Sequence, residues 1–314
     1  MSTSTSDLPL LLEEVECVSV ERLTPSFVRV ELASPALAEF GVEGHLYDQR
    51  IKLLFPGVPG GPLPSFEGAD ESWWTTWMEK PAEERGHMRT YTVRDVRGSG
   101  TDTRLVVDFI VHEGDCGPGG TWGANAQVGD RLVTMTPRRG VHYGGIEFVP
   151  GDATNLLLVG DETAVPAIAA ILEQLDPGMR GHVFLEVPFA DDVLTLEHPS
   201  DVQVHWLPRE GAARGEALHA AVLEHLGTTP HQVVVADDEV DPDLWETPGY
   251  SSSGEPVEET GRSVGHDFDG LYAWIAGESK VVTGLRRALV KDLGIDRHQV
   301  AFMGYWRVGV AMKS

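Results

Sequence analysis

The chain has 314 residues, of which 41% are hydrophobic and 23% are charged, a composition that is ordinary for a globular protein and excludes a largely disordered one. Its 49 acidic and 24 basic residues give a formal net charge of −25, which repels nucleic acid and anionic lipid and argues against both as partners. The same charge would also serve solubility alone.

The length favours two domains, each able to bury a core of its own. No stretch approaches the roughly 18 consecutive apolar residues that a membrane span requires, so we expect no membrane insertion. The start of the chain carries no basic residue ahead of its short apolar patch and does not resemble a secretory signal. Cys17 and Cys116 lie far apart, which suggests neither a disulfide framework nor a cysteine metal site. We therefore expect a cytoplasmic protein with no metal site.

Short strands separated by turn residues fill the first half of the chain. β-Branched or alternating apolar residues predict six strands, at 15–20, 27–32, 50–55, 89–96, 104–111 and 131–135. Six strands without a convincing long helix predict a small antiparallel barrel. In the insert 56–88, Trp73 and Trp77 lie four residues apart and are expected to press onto the barrel. The insert is then either a lid over a ligand or, more commonly for aromatic residues at this spacing, a tucked-in loop.

Strands alternate with helices beyond Pro150-Gly151-Asp152. Apolar runs predict strands at 155–159, 182–187, 202–206, 232–235, 271–276 and 300–306. Helical spacing predicts helices at 164–175, 216–226 and about 280–293. This alternation predicts a parallel sheet wound with helices, an architecture typical of nucleotide-binding domains. The acidic stretch 237–269 lacks periodicity and is expected to be a surface loop.

The fourth predicted strand begins with the hexapeptide Arg89-Thr90-Tyr91-Thr92-Val93-Arg94. Successive side chains of a strand point to opposite faces, so Arg89, Tyr91 and Val93 share one face, and Arg94 lies on the other. A cation and a ring on one face suit a ligand that has both a phosphate and an aromatic system, as flavin nucleotides do. An ordinary half-exposed strand would explain the same residues.

A glycine-dense stretch follows the fifth predicted strand and precedes a short helical segment at 122–127. Its glycines are Gly114, Gly117, Gly119 and Gly120. Such a turn presents backbone N–H groups and a positive helix end to an anion such as a pyrophosphate, and a plain tight turn needs fewer glycines. His112, at the strand end, is either a further ligand contact or a structural histidine.

Two stretches of the second half lie where a nucleotide would bind. Residues 160–164 form the turn between a strand and a helix, and ligands of open α/β sheets bind at such strand ends, so a nicotinamide would approach Asp161, Thr163 and Ala164. The turn lacks the glycine fingerprint of a dinucleotide site, and a well-capped core helix would explain it equally. The second stretch combines a late strand end with C-terminal aromatic residues that would cover a flat ring; its residues are Gly277, Glu278, Tyr305 and Trp306.

Taken together, the stretches 89–94, 117–122, 160–166 and 304–307, in this order and at these separations, resemble the siderophore-interacting protein family, relatives of the ferredoxin reductases that carry FAD. The resemblance covers roughly residues 15–309. It implies a six-stranded antiparallel FAD-binding barrel at 1–150 and an NAD(P)H-binding α/β domain with a parallel sheet at 151–314. It also implies an enzyme that reduces ferric siderophores and releases ferrous iron.

The resemblance further implies roles for individual residues. Thr163 would lie beside the flavin, which would be lined by Arg89, Tyr91, Thr92 and Val93. The phosphates would be held by His112, Gly119, Gly120, Thr121 and Trp122. Basic residues around the iron chelate would be Lys52, Arg138 and Arg307. Two departures matter: the inserts 56–88 and 237–269 are longer than expected for the family, and the run Thr136-Pro137-Arg138-Arg139-Gly140 has an extra arginine, so that either arginine could take this role.

In this interpretation NAD(P)H reduces FAD and the reduced flavin reduces the ferric siderophore, so that no acid, base or nucleophile is required of the protein. Many ferric siderophores are anionic, and Lys52, Arg138 and Arg307 would form a local positive site for them, although each is also ordinary as a solvated cation. Arg209 follows a strand and is either a contact to the adenosine phosphate of NADPH or a charge that closes a turn.

Three alternatives stay open. Ferredoxin could supply the electrons, although an acidic protein is an awkward partner for an acidic ferredoxin. The chain could be a general flavin reductase or diaphorase. It could also be a carrier that binds ferric siderophores without reducing them.

Overall fold

The computed structural model describes residues 8–58, 60–112, 117–229, 235–236, 240, 245–248, 250–251 and 268–310. The chain divides into two compact units, residues 1–146 and 147–313. Within the described ranges, no helix combines the length and the apolar character that a membrane crossing requires.

Unit 1 is built on an antiparallel sheet with the order β4-β3-β7-β1-β2-β6-β5. Its strands are β1 (Leu10–Arg22), β2 (Phe27–Ala33), β3 (Arg50–Phe55), β4 (His87–Thr92), β5 (Asp95–Arg97), β6 (Arg104–Ile110) and β7 (Arg131–Pro137). The predicted antiparallel architecture is confirmed, but the sheet has seven strands where six were expected.

The extra strand arises because the predicted strand 89–96 divides at Val93 and Arg94. The N–H of Val93 donates to the carbonyl of Gln49 over 2.9 Å, whereas the N–H of Arg94 donates to the carbonyl of Val106, also over 2.9 Å. The chain thus leaves one edge of the sheet and joins the other within two residues. Two residues span only about 7 Å, so the two edges must approach each other and the sheet rolls into a barrel-like form.

The core of unit 1 is the inner face of this rolled sheet. Apolar side chains at alternate positions of the strands are buried there, among them Val15, Val30, Leu53, Val107 and Leu132. Helix α3 (Gly117–Asn125) lies against this core. It approaches so closely that a Cβ on Gly123 would lie 2.6 Å from the Cβ of Phe109.

The insert between β3 and β4 packs on the outer face of the sheet. It contains α1 (Trp73–Met78) and α2 (Ala82–Arg85). Trp77 is only 1% exposed, packs with Leu54, Met88 and Val133, and donates from Nε1 to the carbonyl of Arg85 over 3.0 Å. Trp73 packs beside it. Both tryptophans therefore pack on the barrel, and the insert is a tucked-in loop there.

Unit 2 is built on a sheet with the order β10-β9-β8-β13-β14-β11-β12. Its strands are β8 (Asn155–Gly160), β9 (Arg180–Val187), β10 (Val202–Pro208), β11 (Trp245–Thr247), β12 (Tyr250–Ser251), β13 (Leu271–Glu278) and β14 (Val300–Trp306). Five strands run parallel, as predicted, whereas β11 and β12 are short antiparallel additions at one edge. Most of the predicted strand 232–235 and of the predicted loop 237–269 lies outside the described residues.

Helices cover the parallel strands. They are α4 (Val165–Glu173), α5 (Glu216–His225) and α6 (Ser279–Arg286), the last continued by a π-helical turn, Arg287–Asp292. Leu218 and Val222 of α5 and Leu285 of α6 are buried against Ile275 and Phe302 of the sheet. This packing fixes the carboxyl ends of β8, β9, β10, β13 and β14 along one edge of the sheet, where residues 161–164 lie.

Replacing Gly123 by alanine should destabilise the protein, although alanine is the better helix former. The new Cβ would overlap Phe109, and such overpacking costs about 1–3 kcal/mol. Helix propensity gives back only about 1 kcal/mol. Urea unfolding measures the difference in the free energy of unfolding.

The exposed neighbour Ala124 provides a matched control, because Ala124→Gly should lose only the helix propensity, about 1 kcal/mol. If Gly123→Ala unfolds at a higher urea concentration than the wild type, the close packing of α3 on Phe109 is wrong.

Candidate functional site

Strands β3 and β4 present different chemistry on their two faces. Residues directly opposite each other in an antiparallel pair share a face. Tyr91 lies opposite Ile51, and Arg89 lies opposite Leu53. Ile51 and Leu53 are buried in the core, so Tyr91 and Arg89 belong to the inner face, as the alternation of side chains predicts.

The ring of Tyr91 is part of an aromatic cluster. Its centroid is 4.6 Å from that of Phe109 and 6.1 Å from that of Phe55, and Trp122 of α3 packs on the same two phenylalanines. Burial raises the pKa of the Tyr91 hydroxyl, so it stays protonated. The predicted site residue Val93 is also buried in this core, 1% exposed.

The glycine-rich turn expected before residue 122 is instead the first part of α3, which begins at Gly117 and packs on Tyr91. A Cβ on Gly119 would lie 2.1 Å from the Tyr91 hydroxyl oxygen, so only glycine allows α3 to approach the ring this closely. Gly120 is buried, whereas Thr121 is exposed. His112 is half-buried immediately after β6. Gly114 lies outside the described residues. Gly119 and Gly123 therefore have a packing role, and the predicted phosphate-binding role of the glycines stays a prediction.

Two cations of β3 and β4 are partly buried without a described carboxylate within 4.0 Å. The Nη1 of Arg89 donates to the carbonyl of Met88 over 2.7 Å, and the Nζ of Lys52 donates to the Thr90 hydroxyl over 2.7 Å. Burial lowers the pKa of both groups, and the charge of Arg50 lowers that of Lys52 further. In a chain of net charge −25, such cations indicate places suited to an anion.

The other predicted site residues of unit 1 lie at the outer face or beyond the sheet. Lys52 pairs with Thr90 and Met135, and Thr92 pairs with Arg50. These pairs lie on the face opposite Tyr91. The Nε of Arg138 donates to the carbonyl of Leu8 over 3.0 Å. The neighbouring Arg139 donates to the carbonyl of Phe40 over 3.1 Å.

In unit 2, hydrogen bonds of the Asp161 side chain link the end of β8 to the ends of β13 and β14. Its carboxylate is 4% exposed and lies directly after β8. It accepts hydrogen bonds from the Thr163 hydroxyl and N–H (2.5 and 2.9 Å), from the Glu278 N–H at the end of β13 (2.7 Å) and from the Trp306 Nε1 at the end of β14 (2.8 Å). The structure thus brings together four of the predicted site residues.

The surroundings of Asp161 also include Gly277 and Ala164. A Cβ on Gly277, whose φ is +147°, would lie 2.7 Å from the Asp161 carboxyl group, so this close approach requires glycine. Ala164 is buried, and its N–H donates to the Asp161 carbonyl over 3.0 Å. Burial, with the neighbouring charge of Glu162, raises the pKa of Asp161 to about 6.

The side chain of Glu278 caps the helix that follows it. Its Oε2 accepts from the N–H groups of Lys280 (2.7 Å) and Val281 (3.2 Å) at the start of α6. Its Oε1 accepts from the N–H of Val308 over 3.3 Å. Arg307 follows β14 directly and forms an isolated bridge with Val310. The ring of Tyr305 stacks on Trp245 at 6.0 Å.

A buried ion network lies beside Asp161, and no periodic pattern in the sequence predicts it. Arg209, 8% exposed, donates to both oxygens of Glu162 (2.7 and 2.9 Å) and to Glu186 (3.2 Å). Arg214 donates to Glu162 over 2.8 Å, and its guanidinium carbon lies 4.8 Å from the Trp306 ring centroid. Glu186 also accepts from the N–H of Gly215 over 3.0 Å.

This network bears on the predicted contact between Arg209 and an adenosine phosphate. The Arg209 guanidinium is already bound by two carboxylates, which lower its attraction for a phosphate. The contact of Arg209 to an adenosine phosphate stays a prediction. Across the described ranges, no cluster of three or more His, Cys, Asp or Glu side chains has the geometry of a metal site.

Comparison with known proteins identifies the family. Residues 153–309 match the family model described as siderophore-interacting protein, and residues 16–141 match that of the siderophore-interacting FAD-binding domain. An uncharacterized protein of Mycobacterium tuberculosis is 35% identical, covering 95% of this chain and 91% of its own length. The ferric vibriobactin reductase ViuB of Vibrio cholerae is 28% identical, and the match covers 94% of this chain and 89% of the length of ViuB. The crystal structure of a siderophore utilization protein from T. fusca is 29% identical, with a TM-score of 0.66 over 98% of this chain and 97% of that one.

Replacing Asp161 by asparagine should remove a pH-dependent part of the stability. The folded pKa of about 6 lies above the ordinary value of 3.8, so the carboxyl group favours the folded state while it is protonated. That contribution is present below pH 3.8 and is lost as the pH rises through about 6. The wild type should therefore exceed Asp161→Asn in unfolding free energy by less at about pH 7.5 than at about pH 4.5, as measured by urea unfolding.

Thr163→Val is the matched control, because it removes the hydroxyl donor and leaves the Asp161 carboxyl group to titrate. Because the Thr163 hydroxyl lowers the pKa of Asp161, its removal should produce a difference from the wild type that widens, rather than narrows, as the pH rises. A gap between the wild type and Asp161→Asn that widens with rising pH would contradict the account.

Proposed function

The chain belongs to the siderophore-interacting protein family, and we propose that it reduces the ferric iron of a siderophore with electrons that pass from NAD(P)H through FAD. The observation that carries this proposal is the pair of partly buried cations, Arg89 and Lys52, on opposite faces of β3 and β4. One face offers a cation beside an aromatic ring, and the other offers a cation beside hydroxyl groups.

Arg89, Tyr91 and Gly119 offer the chemistry that a flavin dinucleotide needs. Arg89 supplies a cation that no described carboxylate neutralises, Tyr91 supplies a ring with a protonated hydroxyl, and Gly119 lets α3 approach that ring closely. In the proposal, Arg89 and the backbone of residues 119–122 bind the phosphates, with His112 as a further contact. Tyr91 orients the ring system, and Thr92, whose side chain lies on the opposite face, contributes through its backbone. Bound FAD would accept two electrons from a nicotinamide and deliver them singly to iron.

The outer face suits the iron complex. Siderophores bind ferric iron through hard oxygen ligands, and many of the complexes are anionic. Lys52, with Arg50 two residues away on the same face, forms a positive patch on a strongly acidic protein. Arg138 and Arg307 are proposed as further contacts to the complex. The name of the relative ViuB, a ferric vibriobactin reductase, supports this class of substrate.

The nicotinamide donor is assigned to unit 2. The carboxyl ends of its parallel strands form the edge at which open α/β sheets bind ligands. The proposed donor site therefore includes the residues at that edge: Asp161, Thr163, Ala164, Gly277, Glu278, Tyr305 and Trp306. Ferredoxin ranks second as a donor, because the net charge of −25 would repel an acidic partner. We place the reaction in the cytoplasm, where NADH and NADPH are available.

An anaerobic iron-release assay tests the proposal. The purified protein, with its flavin, is mixed with a nicotinamide nucleotide, a ferric siderophore and a chromogenic chelator that binds only ferrous iron. We expect colour to develop only when protein, nucleotide and siderophore are all present, and without added free flavin. Release that requires added free flavin would indicate a general flavin reductase, and tight binding of the siderophore without reduction would indicate a carrier. Failure to bind FAD would contradict the proposal outright.

Replacing Lys52 by glutamine should weaken binding of an anionic ferric chelate by roughly ten- to a hundredfold, because one charge-assisted contact is worth about 1.5–3 kcal/mol. The affinity for FAD should stay the same, since Lys52 lies on the face opposite Tyr91. Titration of tryptophan fluorescence with the chelate measures the dissociation constant.

The control is Lys291→Gln, which removes an equal charge from an exposed position in unit 2. It should leave both affinities unchanged. If Lys52→Gln and Lys291→Gln weaken chelate binding equally, only the net charge matters and Lys52 is not a specific contact.

A further inference from the structure

The loops that follow β9 and β10 start side by side at one edge of unit 2. The two strands are parallel, and their last residues, Val187 and Pro208, are partners in the register. β9 is the second strand of the domain along the chain, after β8. In dinucleotide-binding α/β domains, side chains just beyond the second strand contact the adenosine ribose, where an acidic group binds the 2′-hydroxyl and an arginine accommodates a 2′-phosphate. The charges in these loops therefore bear on the choice of nucleotide.

Arg209 is the first residue after β10, and buried carboxylates bind its guanidinium inside the domain. Its guanidinium makes three hydrogen bonds of 2.7–3.2 Å to Glu162 and Glu186. Glu162 and Glu186 are no more than 1% exposed, and Arg209 is 8% exposed. A phosphate that took Arg209 would leave two buried carboxylates without their cation, which is strongly unfavourable.

Arg214, the second cation of the loop after β10, is held by two neighbours. Its Nη1 lies 2.8 Å from Glu162 Oε1, and its guanidinium carbon lies 4.8 Å from the Trp306 ring centroid. Together, Arg209 and Arg214 carry two positive charges, and Glu162 and Glu186 carry two negative charges. The network has no net positive charge to offer a phosphate.

The two loops also expose carboxylates, whereas the Arg214 side chain, 36% exposed, is paired with Glu162. Asp191 lies in the short turn Ala190–Asp192 after β9, and Glu210 follows Arg209. Glu210 Oε1 accepts from the Ala190 N–H over 2.7 Å, which ties the two loops together. Both carboxylates are exposed. Carboxylates accept hydrogen bonds from the hydroxyl groups of a ribose, whereas they repel a phosphate of charge about −2.

We propose that unit 2 selects NADH over NADPH, because the two arginines that follow β10 are paired with buried carboxylates and the loops after β9 and β10 expose carboxylates. This inference rests on the proposed function, since it requires that unit 2 binds a nicotinamide donor. It assigns no NADPH contact to Arg209. Instead, Asp191 and Glu210 would accept hydrogen bonds from the ribose hydroxyl groups of the nucleotide.

Calorimetric titration of the full-length, FAD-loaded protein with ADP-ribose and with 2′-phospho-ADP-ribose tests the inference. Neither probe carries a nicotinamide, so the result does not depend on electron transfer. We expect ADP-ribose to bind at least about tenfold more tightly, as one unfavourable charge contact at a solvent-exposed site would produce. Equal affinity, or tighter binding of the 2′-phosphorylated probe, would overturn the inference.

Two charge reversals on neighbouring strands locate the effect. Asp191→Arg should shift the ratio of the two affinities toward the 2′-phosphorylated probe by about tenfold. Asp201→Arg makes the same change at an exposed position before the amino end of β10 and should leave the ratio unchanged. If both variants shift the ratio equally, the acidic edge does not set the preference and the inference is wrong.

Failure of the inference and failure of the proposed function give different results. If the protein prefers the 2′-phosphorylated probe but releases ferrous iron with NADPH, the proposed function holds and only the inference is wrong. If the protein binds neither probe, both the inference and the assignment of a nicotinamide donor are wrong. In that case, reduction of a ferric siderophore by the chemically reduced protein shows whether the flavin and siderophore parts of the proposal survive.

Discussion

The alternation of side chains along β3 and β4 is the constraint on which the site in unit 1 depends. Because neighbours on a strand face opposite ways, the pair places Tyr91 and Arg89 inside the barrel and Lys52 and Thr90 outside it. The two sets therefore offer different chemistry on the two sides of a single layer of backbone. A shift of one residue in the register would exchange the two sets and bury Lys52 in the core.

The arrangement also depends on the scarcity of available cations. Among the 24 basic residues of a chain with 49 acidic ones, many of the described arginines are bound by carboxylates, as Arg29 is by Asp108 and Arg209 is by Glu162. Arg94, on the opposite face from Arg89, lies 3.9 Å from Asp108. Arg89 and Lys52 differ, because burial desolvates them and no described carboxylate balances them. Their charges are therefore the ones that an anionic ligand would meet.

Local patterns in the sequence predicted a large part of this structure. Alternating apolar residues located β3 to the residue, and the switch to alternating strands and helices located the parallel sheet of unit 2. The sequence placed Asp161 and Thr163 at one predicted nucleotide-binding strand end and Glu278 and Trp306 in a second stretch, and the structure joins all four in one set of hydrogen bonds.

Other features could not be predicted because they depend on contacts between distant residues. The split of the strand 89–96 follows from the closure of the sheet, which no local pattern encodes. Arg209 has the sequence position of a phosphate contact, and only the folded chain brings it to Glu162 and Glu186, 47 and 23 residues away. The glycines before Trp122 suggested a phosphate-binding turn. In the structure, the missing side chain of Gly119 makes room for Tyr91.

A stoichiometric anaerobic titration tests the central claim most directly. The oxidised, FAD-containing protein is first titrated with NADH and then with a ferric siderophore, while the visible absorbance of the protein-bound flavin is recorded. The account predicts that one equivalent of NADH bleaches the flavin and that two equivalents of ferric siderophore restore it, because each ferric ion accepts one electron. A flavin that bleaches with NADH and stays bleached after the ferric siderophore is added would contradict the account.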